Sequence, residues 1–135
     1  MVVTIDLNVI LDVYLLRGDF DSAMAVLSFC RKGTISGNIP SHAAPTIYYI
    51  LKKSVGISKA RELSGQLLDV LAIVPVDKAI LMEARRSPIV DFEDAIVEGA
   101  AHATSSAFIV TSNVRDFPLG RVPAMTPAQF LLQIA

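Results

Sequence analysis

Short apolar runs alternate along the chain with longer segments in which apolar residues recur every three or four positions. The short runs are typical of buried strands, and the longer segments are typical of helices that pack on one face. The pattern predicts strands at residues 2–5, 34–39, 73–76, 107–110 and, at a sheet edge, 122–125. It predicts helices at residues 8–16, 21–31, 43–53, 58–71, 77–86, 91–103 and from 127 to near the end. Strands that alternate with helices favour an α/β fold with a mostly parallel sheet covered on both faces.

Side chains that accept hydrogen bonds from free helical N–H groups stand at several predicted helix starts. Asn8, Ser41, Ser58 and Asp77 each precede or open an apolar helical pattern, and all three residue types are good N-caps. Thr126 is followed by a proline at the first helical position, which is a further start signal. These caps support the predicted order of elements.

The size and composition of the chain are those of one domain. Its 135 residues suit a single domain over residues 1–135, and the sequence contains no internal repeat. Hydrophobic residues make up 53%, yet the apolar runs are far shorter than the roughly 18 residues that span a bilayer. We find no pattern of a signal peptide and expect a cytoplasmic location. The single cysteine, Cys30, excludes an internal disulfide and is expected in the core.

The charge balance excludes nucleic-acid binding by bulk positive charge. The net charge is −1, from 12 Lys and Arg against 13 Asp and Glu. Basic residues do cluster locally, as at Lys52-Lys53 and Arg85-Arg86. They are either solvated helix ends, where positive charge is favourable, or contacts for a phosphate backbone.

Acidic and amide side chains follow two of the predicted strands directly. Asp6 follows the strand at 2–5, and Thr111, Asn113 and Asp116 follow the strand at 107–110. Ligands of open α/β sheets bind at the carboxyl ends of the strands. Oxygen-bearing side chains gathered there predict a site for a hard divalent cation.

The predicted helix at 91–103 adds a third group of acids. Asp91, Asp94 and Glu98 are three and four residues apart, so they share one face of the helix. Their position near the amino terminus is favourable because the helix dipole stabilises negative charge there. The simpler interpretation is an acidic first turn whose side chains are solvated, with Glu98 and His102 forming a surface pair.

Four segments of the sequence together resemble the PIN-domain family. They are residues 4–9, 91–95, 109–113 with 116–117, and 125–131, and the last resembles the tail of the bacterial VapC-like branch. The resemblance spans nearly the whole chain and keeps the order of the segments. It implies a three-layer α/β/α sandwich with a parallel sheet. It also implies a magnesium- or manganese-dependent ribonuclease, because members of the family typically have this activity. Many members are the toxins of toxin–antitoxin pairs.

The resemblance assigns roles to individual residues. Asp6 and Asp94 would be the metal ligands, and Asp116 would contribute to catalysis beside them. Asn113 would stand where many members have another acid. Asn8, Asp91, Thr111 and Asn113 would support the site, while Arg115, Lys52 and Lys53 at the rim would bind the RNA backbone. An antitoxin protein and a second copy of the chain are the partners that the resemblance implies.

One position departs from the family pattern. Relatives often carry an acid on the helix at 43–53, at the position that Thr46 occupies here. Asp91, Glu93 or Asp116 are the candidates to compensate for that charge. The alternative function is a weakly active or inactive PIN-like protein that binds RNA or a protein partner. A receiver-like α/β domain is a further alternative, but it needs a lysine after a later strand, and none follows Val110.

Overall fold

The central element of the fold is a five-stranded sheet. The computed structural model describes residues 1–118 and 120–135. Within them the strands are β1 (Val2–Ile5), β2 (Ser36–Pro40), β3 (Ala72–Val74), β4 (Phe108–Val110) and β5 (Ala124–Met125). The helices are α1 (Leu7–Tyr14), α2 (Phe20–Lys32), α3 (Ala43–Val55), α4 (Ile57–Val70), α5 (Lys78–Arg86), α6 (Phe92–Ala103) and α7 (Pro127–Ile134). A 3-10 helix at Val114–Asp116 follows β4.

The strand order places β1 at the centre of the sheet. The order is β3-β2-β1-β4-β5, and all neighbouring strands are parallel. The chain moves outward from β1 through β2 to β3, then returns to place β4 on the other side of β1. Such a reversal opens a crevice at the carboxyl ends of the two strands that flank it. Here those strands are β1 and β4, and β5 is the predicted edge strand.

Helices cover both faces of the sheet and give the predicted three layers. On one face, buried side chains of α1, α2, α3, α4 and α7 form the larger core. On the other face, those of α5 and α6 form a smaller core. Adjacent residues of β4 divide between them, because Ile109 belongs to the smaller core and Val110 to the larger one. Cys30 lies in the larger core, as predicted.

Two of the predicted helix caps are confirmed. The Asp77 carboxylate accepts a hydrogen bond from the Ile80 amide over 2.9 Å at the start of α5. The Thr126 hydroxyl accepts from the Gln129 amide, and the Gln129 side chain accepts from the Thr126 amide, so α7 begins with a capping box. Both caps satisfy N–H groups that have no partner within the helix.

Three predicted caps are wrong because the helices begin elsewhere. Helix α1 begins at Leu7, which places Asn8 inside the helix. Helix α3 begins after His42, and the Ser41 hydroxyl instead accepts a hydrogen bond from the Val76 amide over 3.0 Å. Helix α4 begins at Ile57, so Ser58 also lies inside its helix. The N-cap positions are Asp6, His42 and Gly56, which lie two, one and two residues from the predicted caps.

The strand predicted at residues 34–39 begins at Ser36 in the structure, two residues later than predicted. Gly33 takes a left-handed conformation, with φ of 76°, and ends α2. The amides of Thr34 and Ile35 then donate to the Phe29 carbonyl oxygen, so these residues complete the helix end instead of joining the sheet.

Within the described part of the chain, no helix is long and apolar enough to cross a membrane.

Candidate metal centre

Asp6 is held at the junction of the two central strands. It follows β1, and its backbone N–H donates to the Val110 carbonyl oxygen over 2.9 Å, which extends the pairing of β1 with β4. The residue is only 4% exposed. Although it occupies the N-cap position of α1, its side chain makes no capping hydrogen bond. Its Oδ2 atom instead accepts a hydrogen bond of 2.8 Å from Thr111 Oγ1.

Thr111 fixes the orientation of the Asp6 carboxylate. It is fully buried after β4, and its hydroxyl also accepts a hydrogen bond from the Asn113 amide over 3.0 Å. The accepted bond orients the hydroxyl proton toward Asp6. The structure thus shows Thr111 bound to Asp6, and its supporting role in a metal site stays a prediction.

Replacing Thr111 by valine is expected to lower the free energy of unfolding by about 1 kcal/mol, since the buried Asp6 loses its hydroxyl donor. Thr111→Ser keeps the donor and is the matched control. Urea unfolding of both variants at pH 8 measures the difference. Equal stability of the valine variant and the wild-type protein would contradict this role of the hydroxyl.

The first turn of α6 brings a second carboxylate toward Asp6. Asp91 caps the helix, because its Oδ1 accepts a hydrogen bond of 3.0 Å from the Asp94 amide. Asp94 lies in the first turn and is partly buried. The pKa of Asp94 is raised to about 7 by burial first, and then by the negative charges of Asp91, Asp6, Asp116 and Glu93 in that order. Acids from three segments of the chain therefore act on the same carboxylate.

The pKa of Asp6 is displaced in the same direction. Burial raises the pKa of this carboxyl, whereas the hydrogen bonds from the Thr111 hydroxyl and the Leu7 amide lower it. The charges of Asp116 and Glu93 raise the pKa again. Asp6 and Asp94 thus share one region of negative potential.

Asp6 and Asp94 are not paired with a basic side chain of the described residues. Among the described residues, no ion pair includes Asp6 or Asp94. Those residues also contain no group of three or more His, Cys, Asp or Glu side chains placed to hold an ion. Mg²⁺ commonly binds one or two carboxylates and keeps several waters, so it does not require such a group. The donor set fits a partly hydrated Mg²⁺ or Mn²⁺, which Asp6 and Asp94 would hold.

A shallow depression of about 330 Å³ lies beside Asp94. Its polar lining consists of Asp91, Asp94, Arg115 and Asp116. Asp116 and Arg115 are exposed on the 3-10 helix, which places a basic side chain at the rim of an acidic depression. Arg115 therefore lies beside the acids of the depression, and its role in binding the RNA backbone stays a prediction.

The other predicted basic residues lie elsewhere. Lys52 and Lys53 are in the last turn of α3 and are exposed, and neither lines the depression. Lys52 Nζ stands 6.0 Å from the centre of the Tyr49 ring. The site is nearer the beginning of α3, where His42 Nε2 is 3.5 Å from Glu93 Oε1.

Within the described residues, neither of the two predicted amide side chains, Asn8 and Asn113, forms a hydrogen bond with Asp6 or Asp94. Asn8 is partly buried in the first turn of α1, and the Asn113 side chain is exposed. The Asp12 side chain accepts two hydrogen bonds, at Oδ2 from Ser112 Oγ over 3.2 Å and at Oδ1 from Arg17 Nε over 3.1 Å. It therefore connects α1 to the segment after β4.

The position on α3 where relatives often carry an acid has a neutral threonine here. Thr46 is partly buried, and its hydroxyl donates to the His42 carbonyl oxygen over 3.1 Å. Asp116 and Glu93 are two of the three candidates in the sequence to compensate for this position, and the charge of each raises the pKa of both Asp6 and Asp94, that of Asp116 more strongly. Glu93 lies in the first turn of α6.

The predicted surface pair of Glu98 and His102 is wrong. Glu98 is 4% exposed, and its carboxylate accepts hydrogen bonds from Arg121. His102 is exposed on the last turn of α6. No local pattern indicated the pairing, since Arg121 is 23 residues away along the chain.

Comparison with known families agrees with this architecture. A sequence model of the PIN domain matches residues 2–115, which is most of the chain. The chain belongs to the PIN-domain family. The family recognised in the sequence is thereby confirmed, and no curated protein sequence matches this PIN domain significantly.

Solved structures share the fold of this PIN domain at low sequence identity. VapBC2 from Rickettsia felis, bound to a DNA fragment from its promoter, has 16% identity and a TM-score of 0.72, over 93% of this chain and 98% of that one. DNA-bound VapBC from Salmonella typhimurium has 14% identity and a TM-score of 0.73, over 94% and 98% of the two chains. VapBC-1 from nontypeable Haemophilus influenzae has 11% identity and a TM-score of 0.69, over 95% and 99%.

Proposed function

We propose that this PIN domain is a divalent-metal-dependent endoribonuclease that hydrolyses RNA phosphodiesters with Mg²⁺ or Mn²⁺. The observation that carries the proposal is the approach of Asp94 to Asp6 at the carboxyl ends of β1 and β4. The charge of Asp6 raises the pKa of Asp94, and within the described residues neither acid belongs to an ion pair. Burial of unpaired carboxylates is costly, and a bound cation removes most of that cost.

In this proposal the side chains of the metal centre and those of the depression beside it have different roles. Asp6 and Asp94 hold the cation, and the Thr111 hydroxyl keeps the Asp6 carboxylate oriented. When bound, the cation polarises the phosphodiester and lowers the pKa of an attacking water. Asp116 adds negative charge beside Asp94, and Arg115 on the same 3-10 helix binds a phosphate of the RNA backbone.

The family and the solved structures that share its fold support a proposal for the partners of this chain. VapBC complexes are among these structures, two of them bound to DNA. We therefore propose that the chain is the toxin of a toxin–antitoxin pair. In this proposal it binds an antitoxin protein and associates as a homodimer.

Two observations favour a second candidate, a PIN domain that binds RNA or a protein without cleaving RNA. Thr46 and Asn113 are neutral at positions where relatives often have acids, and the described residues hold no group of three metal-binding side chains. Calorimetry with Mn²⁺ separates the candidates. Micromolar to millimolar binding supports the nuclease, whereas no heat of binding supports the non-catalytic protein.

Cleavage of end-labelled single-stranded RNA tests the nuclease directly. The purified protein is expected to cut RNA with Mn²⁺ or Mg²⁺, to stop in EDTA, and to recover when excess Mn²⁺ is returned. Asp6→Asn, purified in parallel, controls for contaminating ribonucleases because it keeps the size of the side chain and the acceptor for Thr111. Cleavage that persists in EDTA, or that is equal in Asp6→Asn, would contradict the proposal.

A further inference from the structure

Glu98 is a buried acid outside the metal centre. It lies on α6 four residues after Asp94, so the two side chains are on one face of the helix, one turn apart. Its side chain is 5% exposed. A buried carboxylate requires partners, and its partners show what it holds in place.

The partners of Glu98 belong to the segment that joins β4 to β5. Glu98 Oε2 accepts a hydrogen bond of 3.0 Å from the Arg121 backbone N–H, and Oε1 accepts one of 3.3 Å from Arg121 Nε. The Arg121 guanidinium also reaches Glu83 at 3.5 Å, where both side chains are largely exposed. The backbone hydrogen bond fixes the path of the chain, because it is independent of the arginine side chain.

Gly120 shows how closely the chain approaches this carboxylate. A Cβ atom at position 120 would lie 2.5 Å from Glu98 Oε2 and 3.4 Å from the Val122 carbonyl oxygen. A side chain of any size therefore has to displace the carboxylate. Glycine at this position allows the carboxylate to reach the next N–H group of the backbone.

The same segment carries side chains of the metal centre. It begins at Thr111 and Ser112, which bind Asp6 and Asp12, and it then contributes Arg115 and Asp116 to the depression. Phe117 and Val122 bury their side chains in the smaller core, against α5 and α6. The segment is thus attached near β4 by hydroxyl groups and near β5 by Glu98.

We propose that Glu98 is a positioning residue that sets Arg115 and Asp116 relative to Asp94. Helix α6 carries both Asp94 and Glu98. One rigid element therefore holds the acid of the metal centre and also the attachment point of the segment that carries Arg115 and Asp116. The inference rests on the proposed function, since it assigns a role in the same site. Displacements of about 1 Å in such a site lower the rate roughly a hundredfold.

Four variants test this role. Glu98→Ala removes the attachment, and Gly120→Ala displaces the carboxylate while it leaves both charges in the protein. Glu98→Gln retains an acceptor for the Arg121 N–H and serves as the conservative rescue. Glu83→Gln is the matched control, because it removes the other carboxylate that contacts Arg121.

Three measurements are made on each folded variant, well below its unfolding temperature. They are the Mn²⁺ dissociation constant, kcat and KM for RNA cleavage at saturating Mn²⁺, and hydrogen exchange of the amides in residues 112–118. For Glu98→Ala and Gly120→Ala we expect kcat/KM to fall about tenfold to a hundredfold, with faster exchange. Glu98→Gln should lose less, and Glu83→Gln should match the wild-type protein.

A role limited to stability predicts a different result. In that case Glu98→Ala and Gly120→Ala would unfold at lower temperature but keep wild-type kcat/KM and wild-type exchange in residues 112–118. That outcome, or an equal loss in Glu83→Gln, overturns the positioning role. A wild-type protein that neither binds Mn²⁺ nor cleaves RNA instead refutes the proposed function, and the positioning role falls with it.

Discussion

Replacing Asp94 by asparagine is expected to lower kcat/KM for RNA about a hundredfold or more in saturating Mn²⁺. The substitution keeps the size of the side chain but removes one of the two carboxylates proposed to hold the cation. Mutation of a group that only supports a metal ligand typically costs tenfold to a hundredfold in metal affinity or activity, so loss of the ligand itself should cost at least as much. Steady-state cleavage of a labelled RNA over a range of Mn²⁺ concentrations measures the loss.

Asp91→Asn is the matched control for this prediction. It removes the same charge from the same helix start, three residues away, and asparagine is as good an N-cap as aspartate. Asp91 is exposed, so its charge is screened by solvent. We expect activity within a few-fold of the wild-type value. Equal losses in both variants would show that general negative charge, and not a ligand at position 94, matters.

The same Asp94→Asn substitution is expected to stabilise the metal-free protein at pH 8 by about 2 kcal/mol. Asp94 has a pKa near 7 in the folded protein, chiefly because of burial, and near 3.8 when unfolded. This stabilisation is smaller than the free energy that corresponds to the full change in pKa, because Asp94 is partly exposed.

The sign of this effect follows from proton binding. The folded protein binds the proton of Asp94 more tightly than the unfolded chain does, so stability is greatest below pH 3.8 and falls as pH rises through about 7. The difference between variant and wild type should therefore vanish near pH 4. Saturating Mn²⁺ at pH 8 should reverse it, because only the wild-type protein keeps both ligands. Urea unfolding in EDTA and in Mn²⁺ measures both; a variant less stable in EDTA at pH 8 would contradict the account.

The sequence predicted the parts of the site that depend on local order. Asp6 directly follows an apolar strand, and Asp94 lies in the first turn of a helix that Asp91 begins. Parallel strands align their carboxyl ends, so acids placed after separate strands meet at one edge. The alternation of strands and helices predicted the layers, because helices that alternate with parallel strands cover both faces of the sheet.

The parts that depend on distant contacts were not predictable. The spacing of four residues favoured a pair of Glu98 with His102, but burial brought Glu98 against an arginine from another segment. Lys52 and Lys53 were candidates for the rim, yet the rim is nearer the opposite end of α3, and only the packed fold sets the direction of a helix. Ser41 resembled a helix cap, although its hydroxyl binds an amide 35 residues away.

The most direct test of the central claim is an anomalous-difference map from crystals of the wild-type protein soaked in Mn²⁺. The account predicts one strong peak within bonding distance of carboxylate oxygens from both Asp6 and Asp94, beside the Thr111 hydroxyl. It also predicts that the peak is lost in crystals of Asp94→Asn. A map with Mn²⁺ bound only elsewhere, or with no ion between these two carboxylates at full soaking concentration, would contradict it.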